Sequence, residues 1–138
     1  MGEIIAEVEL ENAVDHELVK TGHLEENDVR RITVRAIVDT GAMMLTLPKN
    51  VVDQLGIGVI RKAPFTMANG AKSDLPIAGP LSVRIGDRGM FTSCVVVDEG
   101  AEALVGQIVL EELDLLPDPT RRTLGPRHPS EEGPLLRL

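Results

Sequence analysis

Residues 35–57, RAIVDTGAMMLTLPKNVVDQLGI, decide the fold. An apolar run, Ala36-Ile37-Val38, leads straight into Asp39-Thr40-Gly41; a small Ala42 follows, and apolar residues resume at Met43. Carrying an ionisable carboxylate to the end of a hydrophobic strand is costly, because desolvation penalises its charge unless a partner compensates. Gly41 allows a tight turn there. After the turn, MLTLP reads as a short strand stopped by Pro48, and KNVVDQLGI as a brief helix ended by Gly56. The remainder of the chain has to supply a use for Asp39.

Upstream, VRRITVRAIV alternates before becoming fully apolar at Ala36, as a strand entering a core does. GEIIAEVEL alternates after Ile5, and AVDHELVKTGHLEEND between these runs holds one short helix ended by Gly22. Downstream, Asn69-Gly70 lies between two extended runs, which predicts a hairpin closed by a two-residue type I′ turn. LSVRIGDRGMFTSCVVV predicts a second hairpin, turning at Gly86-Asp87-Arg88-Gly89. QIVLEELDLL offers Ile108, Leu110 and Leu113 in a helical frame, with Pro117 closing it, and TRRTL reads as one more strand. The expected class is mainly β, with one or two short helices. Residues 1–125 form the expected domain, and 126–138 a C-terminal tail rich in Pro, Gly and charge that ends on the apolar PLLRL.

Composition narrows the functions. The 138 residues suffice for one domain with a real core, and 43% of them are hydrophobic, which opposes wholesale disorder. Phe65 and Phe91 are the only aromatic residues, so the core must be aliphatic and no stacking platform for single-stranded nucleic acid exists. A net charge of -8 also opposes binding to a phosphate backbone, so no nucleic-acid partner is expected. Cys94 has no second cysteine to pair with, and in FTSCVVV it reads as a small buried strand residue. MGEIIAEVEL lacks the basic flank and apolar core of a signal peptide, and no run of about 18 apolar residues occurs. The expectation is a soluble cytoplasmic protein with no membrane partner. His16, His23 and His128 are scattered in polar contexts without HExxH spacing, so they read as solvated and no metal or cofactor is expected. GxSxG and GxxxxGK[ST] are missing, and GIGVIR lacks the third glycine of a dinucleotide fingerprint.

Asp39-Thr40-Gly41 alone is a weak signal, since a given tripeptide of this kind arises by chance in roughly 3% of chains this long. Its context raises it. The Asp ends an apolar strand; a strand, a helix and a Gly-tipped hairpin follow; and Leu104-Val105-Gly106 later leads directly into a helix. That ordered set resembles the retroviral-type (retropepsin-like) aspartic proteases and their bacterial relatives, over residues 30–125.

The resemblance implies a closed, β-barrel-like retropepsin fold and an aspartic endopeptidase. It implies that Asp39 is catalytic and that Thr40 helps lock two active loops together. Gly41 would present its backbone near the substrate beside Ala42, and Leu104, Val105 and Gly106 would pack beneath the loop. The hairpin around Met67, Ala68, Asn69, Gly70 and Ala71 would be a flap over a peptide or protein substrate. Two departures stand out: the family usually has an acidic residue where this chain has Met43, and Arg then Asp or Asn where it has Gln107 and Ile108. Those charged positions assist dimer contacts and substrate binding in the family.

Aspartic proteolysis needs two carboxylates sharing one proton. No second Asp-Thr-Gly or Asp-Ser-Gly occurs, so the pair must come from a two-fold homodimer. By analogy with the family, the expected interface strands are EIIAEVEL and PLLRL, and the expected subsites are aliphatic, drawn from Ile37, Met43, Met44 and Leu45. Three alternatives stay open at this point: an Asp39 that only caps a turn, a catalytically silent peptide-binding or dimerisation module on the same fold, and a β-rich assembly subunit.

Overall fold

A computed structural model of the chain describes residues 3–128. The elements run β1 (Ile5–Asn12), α1 (Ala13–Lys20), a 3-10 turn (Glu26–Asp28), β2 (Arg31–Val38), β3 (Thr46–Pro48) and α2 (Lys49–Leu55). They continue through β4 (Gly58–Thr66), β5 (Lys72–Ile85), β6 (Arg88–Val97), β7 (Ala103–Val105), α3 (Gln107–Glu112), β8 (Leu115–Asp118) and β9 (Thr123–Pro126). The class is mainly β as expected, with three short α-helices rather than one or two. Among the described residues, no helix is long and apolar enough to cross a membrane.

Alternation builds the barrel. In β1, Ala6, Val8, Leu10 and Asn12 are buried, while the residues between them face outward, as a period of two requires. β1 pairs antiparallel with β2 along one edge and with β5 along the other, Glu9 opposite Arg84 and Asn12 opposite Leu81. That second pairing closes a barrel of strand order β1-β2-β7-β3-β6-β5, from which β4 extends as a flanking strand on β5. Two of the pairings, β2–β7 and β3–β6, are parallel. EIIAEVEL is therefore an inner barrel strand, not the interface strand expected from sequence. The other expected interface segment, PLLRL, lies outside the described residues.

The core is aliphatic, with Leu10, Leu47, Leu55, Leu81 and Leu110 fully buried. Each such side chain contributes about 1.5–3 kcal/mol relative to its exposed state. Cys94 is also fully buried there, and burial pushes its thiol up to about 12.

Polar groups fasten the helices to this core. Asn12 caps α1 by accepting from the Asp15 amide at 3.0 Å, and donates through Nδ2 to the Leu55 carbonyl at 2.8 Å. Buried Asp15 receives the Arg30 guanidinium at 2.8 and 2.9 Å and the Arg30 amide at 3.0 Å. α2 ends at Gly56 with φ 66, as its sequence predicts.

Other expectations change in detail. The hairpin at Asn69-Gly70 forms, but only Gly70 takes positive φ (86). The Gly70 amide donates to Met67 at 2.9 Å and the Met67 amide to Ala71 at 2.7 Å, so the loop has three residues and is not a type I′ turn. Asn69 instead accepts the Ala71 amide through its side chain at 2.9 Å. The second hairpin turns at Gly86-Asp87, with Ile85 opposite Arg88.

In α3 the buried positions are Val109, Leu110 and Leu113, while Ile108 is exposed. The helix stops at Asp114, which has φ 55, so Pro117 falls inside β8 rather than closing the helix. β8 pairs with β9, which covers the end of TRRTL. Arg88 donates to the carbonyls of Leu113 and Asp114 at 2.9 and 2.8 Å, tying this terminal pair to the β5–β6 hairpin. His128 is not simply solvated: its ring nitrogen lies 2.7 Å from Asp114 Oδ1, and its amide donates to Oδ2 at 3.1 Å.

Candidate active site

The loop after β2 is held almost entirely through its backbone. The Asp39 amide donates to the Val105 carbonyl at 2.9 Å, which extends the parallel β2–β7 pairing to the very end of β2. The Ala42 amide returns to the Asp39 carbonyl at 3.1 Å, closing the turn. Within it the Asp39 carboxylate accepts the Gly41 amide at 2.9 Å, which fixes the orientation of one oxygen. A Cβ at Gly41 would sit 3.1 Å from that same oxygen, so glycine gives the carboxylate its room.

Helix α3 clamps the loop from beneath. The first amides of a helix have no partner within it. Here Gln107 donates to the Ala42 carbonyl at 2.8 Å and Ile108 to the Met43 carbonyl at 3.0 Å. Gly106 makes the approach possible: a Cβ there would lie 2.6 Å from the Met44 carbonyl oxygen and 2.7 Å from that of Ala42. Loop and helix satisfy each other's main-chain groups, and the clamp uses no charged side chain. The Gln107 side chain is engaged elsewhere, donating to Glu111 at 3.0 Å.

Asp39 opens onto a cleft of about 580 Å³. Val95, Val97 and Leu104 line it from β6 and β7, Met43, Met44 and Thr46 from the loop and β3, and Phe65, Thr66, Met67, Ala68 and Leu75 from the β4–β5 hairpin. Asp39 is the sole ionisable residue in this lining. The carboxylate is half-buried rather than buried, so within one chain it keeps contact with solvent. An apolar cleft of a few hundred Å³ with one charged group at its mouth is suited to an extended chain carrying apolar side chains.

Of the residues singled out from sequence, Asp39, Gly41, Ala42, Leu104, Met67 and Ala68 meet in this cleft. Val105 and Gly106 lie beneath it as loop support, and Thr40 is exposed beside it. Asn69, Gly70 and Ala71 form the exposed tip of the hairpin and are not part of the lining. Met43 and Met44 line the cleft as expected of subsite residues, but Ile37 and Leu45 do not. Leu45 is 2% exposed in the core, and Ile37 lines a separate groove with Ile5 and Val51. Sequence reasoning missed Phe65, Leu75, Val95 and Val97. A usable signal existed for Phe65, one of two aromatic residues in the chain and two positions from Met67 in the run before the hairpin. Among the described residues, no group of three or more His, Cys, Asp or Glu is placed to hold a metal ion.

Comparison with known proteins agrees with this arrangement. The profile of the family described as "gag-polyprotein putative aspartyl protease" matches residues 26–112, more than half of the chain and the span that contains both the Asp39 loop and its α3 clamp. Among solved structures, the EIAV protease complexed with the inhibitor HBY-793 is similar at 21% identity and a TM-score of 0.49, over 59% of this chain and 77% of that one. No curated protein matches the sequence. The family match covers the β2 strand, the acidic loop, the hairpin and the supporting helix together, and the chain belongs to the gag-polyprotein aspartyl protease family.

Proposed function

We propose that the protein is an aspartic endopeptidase that works as a homodimer, with Asp39 of each chain contributing one carboxylate. The observation that carries this reading is the placement of Asp39. It is the only ionisable group lining an apolar cleft, and the Gly41 amide orients it at 2.9 Å. A single carboxylate is half of the chemistry. Two of them about 3 Å apart cannot both ionise, so a pair holds one shared proton.

The steps then follow. The ionised carboxylate takes a proton from a water bound between the two, and that water's oxygen attacks the scissile carbonyl carbon. The protonated carboxyl donates to the carbonyl oxygen, giving a tetrahedral diol. Collapse of the diol breaks the C–N bond, and the leaving amine departs with a proton from the carboxyl pair. No acyl-enzyme forms, so no side-chain nucleophile is needed. The Gly41 amide holds the carboxylate in position throughout, and the apolar walls exclude bulk water that would weaken the electrostatics.

A second reading is a silent peptide-binding module on the same fold. It is favoured by Met43, Gln107 and Ile108, which stand where the resemblance leads one to expect charged residues. The two readings separate in one experiment: wild type and Asp39→Asn are incubated with a diverse peptide mixture between about pH 4 and 8, and the cleavage products are read. Cutting by wild type and not by Asp39→Asn supports the protease. Binding of extended peptides without cutting supports the module, and equal cutting by both points to a contaminant.

A further inference from the structure

The proposed chemistry needs two carboxylates and each chain carries one Asp-Thr-Gly, so a second copy has to seat beside Asp39. The inference below rests on that reading. In a two-fold contact, the residues nearest the axis meet their own copies. Two carboxylates sharing a proton are about 3 Å apart, so the axis runs between the Asp39 loops.

Met43 is the most exposed large apolar side chain among the described residues, at 67%. It follows Asp39 by four positions, which limits their Cα separation to about 14 Å even for an extended chain. The hydrogen bond from the Ala42 amide to the Asp39 carbonyl folds the segment shorter than that. Ile108, 41% exposed, is fixed to the same loop by its amide on the Met43 carbonyl at 3.0 Å, and it lies outside the cleft lining. Two exposed apolar side chains are thus anchored to one rigid clamp, beside the point where the second copy must arrive.

We propose that Met43 and Ile108 form the apolar centre of the surface on which the second copy docks. Charge favours an apolar contact over an ionic one. Each chain carries a net -8, so two copies repel, and a contact without ion pairs strengthens as salt screens that repulsion. Methionine suits a self-complementary contact because its unbranched side chain adapts to an identical partner. The rival apolar surface is Val59 and Ile60 on β4, exposed by 62% and 59%. It is followed directly by Arg61 and Lys62, charges of the kind that blunt an edge strand against pairing, and it is not part of the Asp39 cleft.

The test is sedimentation equilibrium of the full chain at low and high salt for wild type, Met43→Lys, Ile108→Lys and Val59→Lys, with peptide cleavage by wild type measured in parallel. The proposal expects a wild-type dimer that tightens with salt. It expects the dissociation constant to rise by at least about tenfold in Met43→Lys and in Ile108→Lys, and to stay unchanged in Val59→Lys. Thermal melts identify any variant that fails to fold, in which case Met43→Gln and Ile108→Gln replace it. Dimers unaffected by either lysine, or weakened only by Val59→Lys, overturn the surface; if wild type still cuts peptides, the protease reading survives that result. A wild-type monomer at tens of micromolar with a peptide inhibitor present overturns the surface and the homodimer together. A dimer lost in both lysine variants but with no wild-type cleavage upholds the surface and removes the protease.

Discussion

A Cβ on Gly106 would lie 2.6 Å from the carbonyl oxygen of Met44, backbone against backbone with no flexible side chain to yield. The φ of Gly106 is -95, a value any residue adopts, so the glycine is required by space and not by conformation. This one contact joins the Asp39 loop to α3 and makes the loop's geometry depend on a residue 67 positions later in sequence, from 39 to 106.

Gly106→Ala should therefore push the loop and helix apart. The expected cost is about 1–3 kcal/mol of stability, as for other overpacked sites. Peptide cleavage should fall further than the loss of folded protein explains, because the Gln107 and Ile108 amides would no longer reach their carbonyls. Denaturant midpoints and activity per folded molecule check this. An alanine variant with wild-type stability would show that the clamp is looser than the contact implies.

Acid should weaken the fold through two carboxylates. The Arg30 guanidinium hydrogen-bonds Asp15 and, outweighing burial, holds its carboxyl below the usual value. Burial acts to raise Asp114, but hydrogen bonds from His128 outweigh it and the net shift is downward. A depressed native pKa contributes stability that is complete above the unfolded value, about 3.9 for Asp, and is lost as pH falls through the native value. Stability should decline below about pH 4, and the decline should flatten in Asp15→Asn and Asp114→Asn, both of which start from lower stability at neutral pH. Urea midpoints against pH measure it; an unchanged slope in both variants would remove these pairs from the account.

Cys94 should be inert in the native state. Burial pushes its thiol up to about 12, so almost no thiolate exists near neutral pH. Iodoacetamide should label it only in denaturant and leave cleavage untouched. Rapid native labelling accompanied by loss of activity would place the thiol at or near the working surface.

The β4–β5 hairpin should open and close over substrate. Its tip, Asn69 to Ala71, is exposed, and the described contacts there are local to the turn. Amide exchange should be fast at the tip, slow at Ala78 and Cys94 in the paired centre of β5 and β6, and slower at the tip once a peptide inhibitor binds. Equal protection at tip and centre, with and without ligand, would argue against a moving flap.

Local features were legible in the sequence where local physics decides them. Alternation in β1 and β2, the Gly56 stop of α2 and the Asn69-Gly70 hairpin all follow from nearby residues. Asp39, Gly41, Ala42 and Leu104 to Gly106 were readable as one motif because loop and clamp are short contiguous strings. Alternation says that β1 buries one face but not against what, so its assignment to a dimer interface failed once β5 was found along its other edge. In α3, six residues span less than two helical turns, too few to choose between the frames of Ile108 and Val109. Phe65, Leu75, Val95 and Val97 come from strands far apart in sequence, and only the closed barrel brings them to Asp39. The turn type at Asn69 was set by its own side chain accepting the Ala71 amide, a competition that the Asn-Gly pair alone does not reveal.

The central claim is that each active site takes one Asp39 from each of two chains, and mixing wild type with Asp39→Asn tests it most directly. After subunits are allowed to exchange at fixed total protein, peptide cleavage is measured against the fraction of wild type. A shared site predicts that activity follows the square of that fraction, falling to about one quarter in an equal mixture, since only wild-type pairs hold two carboxylates. Activity falling in proportion to wild type, to about one half in the same mixture, would mean that each chain works alone and would contradict the account.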